Sequence, residues 1–450
     1  MPLKSINPFT GEEINSYDIF SKQEMNDAID DVAKNQKSWR LKSVKERFEL
    51  IAAAKNHLLE NKDRFATLMT AEMGKLKTES IAEIEKCALL CDYYMEVSEE
   101  MLQPTEIKTD AKYSGVDYDP LGNILGVMPW NFPFWQVFRF AIPTLITGNG
   151  VLLKHASNVA GCAVALEEIF NVTKEGVFAT LLISAKQVEA VLANDKVNGV
   201  SLTGSEAAGR AVAALAGKYL KPSLLELGGN SAFIVLNDCD LDRAVDDFIV
   251  GRYLNSGQSC VSAKRLMLQE DVHDTFLKKL KEKVQEFSTG DPNWKNTKLA
   301  PMARKDLAEE LEAQVKESIK KGAKLYYGNE RSGAMYKYTI LTDVAPGMPA
   351  FNEELFGPVT AAMKVKDLDE AILLTNNSKF GLGVSIYTSS TDEVRARASE
   401  FNEGAVFINS IVKSDPRIPF GGVKNSGYGR ELAKNGLMAF VNQKTIYLKD

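Results

Sequence analysis

The chain has few cysteines and histidines for its 450 residues, and it contains no block of basic residues. Its five cysteines are odd in number and irregularly spaced, which argues against a disulfide framework and favours a reducing compartment. We therefore expect a cytoplasmic protein. The three histidines are widely scattered, so no zinc-binding pattern is complete and no metal is expected. A net charge of −6 is poorly suited to binding nucleic acid.

The sequence also offers no convincing membrane span. Residues 121–138 form a stretch of 18 residues without a charge, but the stretch includes Gly122, Pro129 and Pro133. In lipid, such residues would leave backbone groups without hydrogen-bond partners. We interpret the stretch as a buried strand followed by a tight loop. The N-terminal residues contain no apolar signal core, so neither export nor a membrane partner is expected.

What is present is the composition of a globular protein, with 45% hydrophobic and 25% charged residues. The length predicts two or three domains. The first 102 residues are predicted to be mostly helical: one helix begins with a capping box at Ser21 and Glu24, a second covers residues 44–73, and a third begins at Ser80 with Glu83 three residues later.

Short apolar runs then alternate with helical segments. The runs at 124–128, 151–153, 177–183, 198–203 and 231–236 are nearly continuous in apolar residues, which is typical of a parallel sheet covered on both faces. A second alternating set begins near residue 241. The final segment, 441–450, is predicted to be a strand with no partner nearby. It either pairs with another subunit or forms a plain edge strand.

Two motifs carry candidate reactive groups. Residues 255–260 read NSGQSC, where a glycine and polar residues precede Cys260. Such a cysteine is either a nucleophile at an exposed turn or a buried thiol. Residues 224–230 read LLELGGN, with Glu226 in an apolar strand, where burial would raise its pKa and suit it to general base catalysis. The alternative is a strand-end carboxylate paired with a lysine.

Two further motifs suggest ligand contacts. Residues 129–135 read PWNFPFW, in which Asn131 is the only polar side chain. Its amide would donate either to an oxyanion or to the local backbone. Residues 201–209 read SLTGSEAAG, a strand, a glycine turn and a helix capped by Ser205. A pyrophosphate could bind at such a helix N-terminus, although the glycine spacing alone is a weak signal.

Taken together, the motifs resemble those of the aldehyde dehydrogenase superfamily. PWNFPFW, SLTGSEAAG, LLELGGN, GQSC, EELFGPV at 353–359 and PFGGVKNSGYGRE at 419–431 have the order and spacing of that family. The resemblance covers essentially the whole chain. Within the family, residues 129–141, 151–159 and 413–422 are most similar to the shorter succinate-semialdehyde dehydrogenases.

The resemblance implies a role for individual residues. Cys260 would be the nucleophile, Glu226 the general base and Asn131 the oxyanion donor. Cofactor contacts are implied for Trp130, Lys154, Ser157, Gly204, Ser205, Leu227, Glu354 and Phe356, and substrate contacts for Arg139, Trp135 and Ser259. The implied reaction is NAD(P)-dependent oxidation of succinic semialdehyde to succinate through a cysteine thiohemiacetal and a thioester.

Two positions bear on specificity. Many family members carry a glutamate at the position of Ser157, where it binds the 2′-hydroxyl of NAD. A glutamate would repel a 2′-phosphate, whereas Ser157 and Lys154 can bind it, which favours NADP while leaving NAD open. Arg139 is a lone charge in an apolar segment and needs an anion. That anion is either the terminal carboxylate of the substrate or a structural carboxylate elsewhere in the chain.

The expected fold is α/β, with three parts. Residues 1–102 and 121–228 would form a Rossmann-type cofactor-binding domain, 229–428 an α/β catalytic domain, and 103–120 with 429–450 a β oligomerisation arm. Such an arm implies a homodimer or homotetramer. The alternatives are a broad-specificity or other acid-aldehyde dehydrogenase and, in a different class, a non-catalytic structural or binding protein. The presence of Cys260, Glu226 and Asn131 disfavours the non-catalytic class.

Overall fold

The computed structural model describes residues 2–449, so Met1 and Asp450 lie outside the described part of the chain. The strands are β1 (Leu3–Ile6), β2 (Glu13–Tyr17), β3 (Thr105–Glu106), β4 (Tyr113–Pro120), β5 (Asn123–Met128), β6 (Gly150–His155), β7 (Phe178–Thr180), β8 (Val197–Thr203), β9 (Ser223–Glu226), β10 (Ala232–Val235), β11 (Arg265–Gln269), β12 (Lys324–Tyr327), β13 (Arg331–Ser332), β14 (Met335–Tyr336), β15 (Thr339–Thr342), β16 (Val359–Val365), β17 (Phe380–Gly381), β18 (Val384–Tyr387), β19 (Val406–Ile408), β20 (Val423–Lys424), β21 (Gly427–Tyr428) and β22 (Val441–Leu448).

The α-helices are α1 (Lys22–Trp39), α2 (Val44–Glu60), α3 (Lys62–Met73), α4 (Lys77–Met101), α5 (Trp135–Ile146), α6 (Ala160–Phe170), α7 (Val188–Leu192), α8 (Glu206–Lys218), α9 (Leu241–Tyr253), α10 (Glu270–Val284), α11 (Lys305–Lys320), α12 (Pro349–Asn352), α13 (Leu368–Asn376), α14 (Thr391–Ala396) and α15 (Ala433–Met438). Short 3-10 helices cover Ser157–Val159, Ala185–Gln187, Leu254–Gly257 and Ala398–Glu400.

The first large sheet has six strands in the order β21-β9-β8-β5-β6-β7. All of its pairings are parallel except that of β21 with β9. Side chains alternate between its faces, so Ile124 packs into one apolar cluster and Leu125 into another. The parallel sheet covered on both faces is therefore confirmed. The carboxyl ends of β5, β8 and β9 meet at one edge, where ligands bind in sheets of this kind.

The second large sheet has seven strands in the order β12-β15-β16-β11-β10-β18-β19. It is parallel except for β12, which runs antiparallel to β15 at one edge. Phe233 and Ile234 of β10 point into separate apolar clusters on opposite faces. The structure is thus a mixed α/β fold with two parallel-rich sheets. The division into three domains at the stated boundaries stays a prediction.

A third sheet contains the C-terminal segment. β22 pairs antiparallel with β4 along its full length, from Val441 opposite Pro120 to Leu448 opposite Tyr113, and β3 pairs with the other edge of β4. Within the described residues β22 is an edge strand of this sheet, and its partner β4 belongs to the segment 103–120 with which the sequence analysis grouped it. Asp450, the last residue of the predicted strand, lies outside the described residues.

Two helix predictions need correction. The predicted helix over 44–73 is two helices, because the chain breaks at Asn61, and α3 ends at Gly74 with φ of 78°. The third helix begins at Lys77 rather than at Ser80. Ser80 is buried, and its hydroxyl lies 3.1 Å from the hydroxyl of Thr70. By contrast, the capping box of Ser21 with Glu24 is confirmed.

The uncharged stretch 121–138 contains β5, a loop and the first turns of α5, a helix that the sequence did not predict. Across the described residues, no helix has both the length and the apolar character that a membrane crossing would require.

A buried carboxylate on α4 fixes the loop between β5 and α5. Glu83 Oε1 accepts hydrogen bonds of 2.9 Å from the backbone N–H groups of both Phe134 and Trp135, which are the first donors of α5. The other oxygen of Glu83 pairs with Lys75, and both side chains are almost completely buried. Glu83 therefore caps α5 from outside and sets the position of the PWNFPFW loop.

Glu83→Ala should destabilise the protein by about 3–5 kcal/mol, because it leaves the Lys75 ammonium buried without a partner. Urea unfolding of the purified variant measures the loss. Glu85→Ala on the same helix is the matched control: Glu85 pairs with Lys62 at 2.7 Å but its side chain is 52% exposed, so we expect a change of about 0–1 kcal/mol. Similar losses in both variants would contradict the role of Glu83.

Candidate active site

The Cys260 loop begins with an unusual backbone. After α9, Asn255, Ser256 and Gly257 have φ values of 57°, 53° and 75°, so three successive residues are in the left-handed region. Such a conformation persists only where the surrounding structure holds it. Arg252 supplies that support: it is buried and donates hydrogen bonds to several backbone carbonyls, including that of Val359 at 2.9 Å.

A buried lysine holds the backbone on either side of the Cys260 position in this loop. Lys264 Nζ donates to the carbonyl oxygens of Ser259 at 2.7 Å and Cys260 at 2.8 Å, and it pairs with Glu354 Oε1 at 3.0 Å. Glu354 Oε1 also accepts from the N–H of Gly229 at 3.1 Å. Sequence reasoning missed Lys264. The signal was a lysine directly before a strand and four residues after the cysteine.

The Cys260 thiol is protonated in the resting enzyme. Burial raises its pKa to about 11, and the positive charges of Arg139 and Lys264 oppose the shift only in part. Because the thiolate is the nucleophile, the site needs a base or a bound ligand to generate it.

Asn131 lies against the same loop. Its side-chain Nδ2 donates to the backbone carbonyl of Gln258 at 3.1 Å. The backbone carbonyl of Asn131 accepts from Asn255 Nδ2 at 2.7 Å. A primary amide has two N–H donors, so one remains for a ligand. Asn131 and Cys260 line one cavity. The amide therefore contacts distant rather than local backbone, and its second N–H is not used by that contact.

Glu226 ends β9 and is almost completely buried. Neither of its carboxylate oxygens has a hydrogen-bond partner among residues 2–449, so the alternative of a lysine partner is not what the structure shows. Burial raises the pKa of Glu226 well above its usual range, and the negative charge of Glu431 raises it further, while Arg139 and Arg430 oppose the shift. A carboxyl group with a raised pKa is suited to proton transfer.

The Glu226 carboxyl does not line either cavity that contains Cys260. It lies against Gly421, where an added Cβ would be 2.5 Å from Glu226 Oε1. Its charge nevertheless contributes to raising the pKa of Cys260, so the two groups are within electrostatic range. To reach the sulfur, the side chain must turn away from Gly421 or act through water.

Arg139 has a carboxylate partner within the chain. Its Nε pairs with Glu431, both side chains are buried, and its Nη2 donates to Thr203 Oγ1 at 3.4 Å. The guanidinium lies 4.7 Å from the ring centroid of Phe420. The structural ion pair that the sequence left open is therefore present, and sequence reasoning did not identify Glu431. A substrate contact of Arg139 stays a prediction.

Arg139 also lines a cavity of about 330 Å³ next to the nucleophile, together with Trp135, Ser259 and Cys260. The three predicted substrate residues are thus brought together beside the thiol. Lys86 of α4, which the sequence analysis did not select, lines the same cavity. The cavity of about 330 Å³ is called the aldehyde cavity below. Its size suits a small molecule.

A second cavity, of about 470 Å³, meets the first at Cys260 and is named here the cofactor cavity. Most of the predicted cofactor residues line it: Trp130, Gly204, Ser205, Leu227, Glu354 and Phe356. The rings of Trp130 and Phe356 are perpendicular, with centroids 5.7 Å apart. Because both cavities include Cys260, an adduct on its sulfur would face ligands from either side.

Lys154 and Ser157 lie outside the cofactor cavity. Lys154 is near the end of β6, burial lowers its pKa, and no hydrogen bond or ion pair to it is found within the described residues. Ser157 begins the 3-10 helix after β6 and lines a separate groove with Asn158 and Arg304. The groove and the cofactor cavity are both lined by residues of α11.

These residues fit a nicotinamide dinucleotide. Ser205 caps the 13-residue helix α8 by accepting from the Ala208 N–H at 3.3 Å, so the helix N-terminus opens at the cofactor cavity. An added Cβ at Gly228 would be 2.4 Å from Glu354 Oε2, so the glycine lets the Glu354 carboxylate lie close to the backbone. Across residues 2–449, no cluster of three or more potential metal ligands is found.

The raised pKa of Cys260 predicts a specific pH dependence for the ligand-free enzyme. Alkylation of Cys260 by iodoacetamide should accelerate by about tenfold for each pH unit from 7 to 10, because only the thiolate reacts and its fraction keeps rising below the pKa of about 11. Mass spectrometry of the Cys260 peptide measures the rate, with glutathione as the reference thiol. A plateau below about pH 9 would show a thiol with an ordinary pKa.

Comparison with known proteins agrees with this geometry. Residues 1–446 match the model of the aldehyde dehydrogenase family. The chain is 44% identical over 453 residues to a probable succinate-semialdehyde dehydrogenase [NADP(+)] of Synechocystis sp., covering 100% of both chains. It is 41% identical over 450 residues to a succinate-semialdehyde dehydrogenase [NADP(+)] of Deinococcus radiodurans, covering 99% of this chain and 94% of the relative.

Among solved structures, a succinic semialdehyde dehydrogenase of Streptococcus pyogenes in complex with NADP+ superimposes with a TM-score of 0.97. It is 37% identical, and the match covers 100% of both chains. With the family model spanning nearly every residue and the nucleophile loop between two cavities, the chain belongs to the aldehyde dehydrogenase family and is an NAD(P)-dependent enzyme.

Proposed function

We propose that the enzyme oxidises succinic semialdehyde to succinate with NADP as the preferred cofactor. The observation that carries the substrate assignment is the aldehyde cavity, in which Arg139 and Lys86 place positive charge beside the thiol of Cys260. A buried cation attracts an anionic group, so the cavity favours an aldehyde that ends in a carboxylate. The relatives from Synechocystis sp. and Deinococcus radiodurans, which are named succinate-semialdehyde dehydrogenases, support the same substrate.

In the first step, the Cys260 sulfur adds to the aldehyde carbon to form a thiohemiacetal. The thiol proton passes to solvent water as the sulfur attacks, since burial keeps the resting thiol protonated. The developing oxyanion would accept hydrogen bonds from the backbone N–H of Cys260 and from the Asn131 amide, which has one N–H outside its contact with Gln258. These donors stabilise charge that exists only during reaction.

A bound nicotinamide ring supplies a hydride acceptor on the cofactor side of Cys260. The protein contributes orientation: Trp130, Phe356 and Leu227 line the cavity for the ring, and Glu354 is held by Lys264. Because Lys264 also binds the Cys260 carbonyl, one ammonium fixes the relative position of the nucleophile and the cofactor wall.

Release of the acid requires water to attack the thioester carbon while the carbon–sulfur bond breaks. Glu226 would accept the proton of that water. Its raised pKa brings the carboxylate closer to the proton affinity that such a base needs at neutral pH. Its oxygens have no hydrogen-bond partner among the described residues, so no hydrogen bond holds the side chain against Gly421.

The NADP preference rests on residues beside the adenosine end. Ser157 places a hydroxyl where a glutamate would repel a 2′-phosphate, and Lys154 is a nearby cation without an ion-pair partner in residues 2–449.

We also propose a homodimer or homotetramer. The outer edge of β22 has no strand partner within the described chain, and an exposed edge of eight residues favours pairing with a second copy. A cytoplasmic location stays a prediction from the five free cysteines.

Initial rates with succinic semialdehyde and butanal, each with NADP and NAD, test the proposal. We expect kcat/KM for succinic semialdehyde to exceed that for butanal by about tenfold or more, equivalent to ~1.4 kcal/mol. NADP should be used at least as efficiently as NAD. The variant Ser157→Glu should lose NADP efficiency selectively, since a charge about 4 Å from the 2′-phosphate costs about 1–4 kcal/mol. Equal rates with both aldehydes would contradict the substrate assignment. A strong wild-type preference for NAD would contradict the cofactor assignment.

Glu226→Gln should give one rapid turnover and then stall, because the thioester forms but cannot be hydrolysed. A burst of reduced cofactor equal to the enzyme concentration, with acylated enzyme visible by intact mass, is the expected result. Glu189→Gln is the matched control, as Glu189 is an exposed residue paired with Lys218 at 2.8 Å. Steady turnover of Glu226→Gln at the wild-type rate would exclude Glu226 as the base for thioester hydrolysis.

A further inference from the structure

Lys86 is a lysine of the aldehyde cavity that the established family activity does not account for. It lies in the middle of α4, and its side chain is partly buried. Its Nζ donates to Ser414 Oγ at 2.8 Å and lies 4.0 Å from the ring centroid of Trp135. The ammonium is therefore fixed in place by a hydroxyl and an aromatic face, which are both neutral groups.

The charge balance of the cavity distinguishes Lys86 from Arg139. Arg139 is neutralised by its buried ion pair with Glu431. For Lys86, no carboxylate oxygen lies within 4 Å of Nζ anywhere in residues 2–449. By contrast, Lys75 of the same cavity is paired with Glu83. An ammonium has three N–H donors, and the described residues accept only one of those of Lys86. A partly buried cation with unused donors is the natural site for an anion.

A second unused donor lies beside it. The indole Nε1 of Trp135 is buried, and no hydrogen-bond acceptor for it is found in the described chain. A buried donor that is left unsatisfied costs about 1–3 kcal/mol, so the site gains when a ligand supplies an acceptor. Trp135 and Lys86 are in contact and line the aldehyde cavity together with Cys260.

We propose that Lys86 binds the terminal carboxylate of the substrate and is a specificity-determining residue for short aldehydes that carry an acid group. This inference rests on the proposed function and deepens it. The carboxylate would accept hydrogen bonds from the Lys86 ammonium and from Trp135 Nε1. Arg139 then acts mainly through its ion pair with Glu431, and its remaining positive field supports the same end of the substrate.

The electrostatic surroundings of Lys86 predict when this contact fails. Burial lowers its pKa to about 8, and the positive charge of Arg139 on α5 lowers it as well. Cys87 and Glu83 on the same helix oppose the shift, as does the negative charge of Asp415 in the loop after β19. Lys86 is therefore charged below about pH 8 and loses its charge above it, so binding of an acid aldehyde should weaken as the pH rises.

The test compares KM values for succinic semialdehyde and butanal in wild type and three variants. Lys86→Met should raise KM for succinic semialdehyde by about tenfold or more, equivalent to ~1.4 kcal/mol, with less than about threefold change for butanal. Lys86→Arg should restore most of the loss, because it keeps the charge. The control Lys413→Met removes an exposed charge at the cavity mouth. Since solvent screens that charge, KM should stay close to wild type.

The wild-type enzyme provides a second measurement that needs no variant. Between pH 7 and 9.5, KM for succinic semialdehyde should rise with a midpoint near 8 or above, while KM for butanal should not show that step. Competitive inhibition by succinate should weaken over the same range. These profiles keep the proposal testable if Lys86→Met fails to fold.

The outcomes separate the two proposals. If the wild type oxidises butanal as efficiently as succinic semialdehyde, the proposed function fails at that point. If the wild type prefers succinic semialdehyde but Lys86→Met changes both KM values equally or leaves both unchanged, the function stands and the role of Lys86 is overturned. A rise in Lys413→Met as large as in Lys86→Met would also overturn it, because the effect would then reflect the general field.

Discussion

Two buried carboxylates share a single buried guanidinium at the centre of this enzyme, and much of the chemistry depends on that imbalance. Arg139 is paired directly with Glu431, while Glu226 lies close enough to both to respond to their charges. In a medium of low dielectric constant, one cation cannot fully stabilise two anions. Burial raises the pKa of Glu226, and the negative charge of Glu431 raises it further, while Arg139 opposes the shift only in part. Glu226 therefore has the raised pKa that its proposed role as a general base requires.

The same imbalance affects the substrate side. Because Glu431 neutralises Arg139, the partly buried positive charge in the aldehyde cavity that lacks a carboxylate partner among the described residues is that of Lys86, whereas Lys413 is exposed. The burial that raises the pKa of the Cys260 thiol also lowers that of Lys86. Near neutral pH, the cavity therefore contains a neutral thiol and a charged ammonium. This combination admits an anionic aldehyde without a thiolate to repel it.

The parts of this arrangement that are local in sequence could be predicted from it. The capping box at Ser21, the strand preceding the PWNFPFW loop, and the strand–turn–helix around Gly204 all depend on neighbouring residues, and the structure confirms them as elements. The family motifs likewise placed Cys260 beside residues of both cavities. The predicted roles of those residues in catalysis stay predictions, since geometry shows neighbours and not reaction steps.

What could not be predicted depends on distant contacts. A lone arginine indicates that an anion is needed, but nothing in the sequence identifies Glu431, which belongs to the last glycine-rich segment. The register of β22 against β4 likewise depends on a distant contact, because β4 lies near the middle of the first half of the chain.

Lys86 shows the limit most clearly. On α4 it is one charged residue among many at helical spacing, and only packing against Trp135 and Ser414 separates it from a solvent-exposed lysine. A lysine on a helix surface ordinarily keeps its ammonium in water. Here α4 is fixed against the start of α5 by Glu83, which accepts from the first donors of that helix. The contact that sets the loop carrying Asn131 therefore also brings the Lys86 turn of α4 to the aldehyde cavity. The proposed oxyanion donor and the proposed carboxylate anchor are thus positioned by the same buried glutamate.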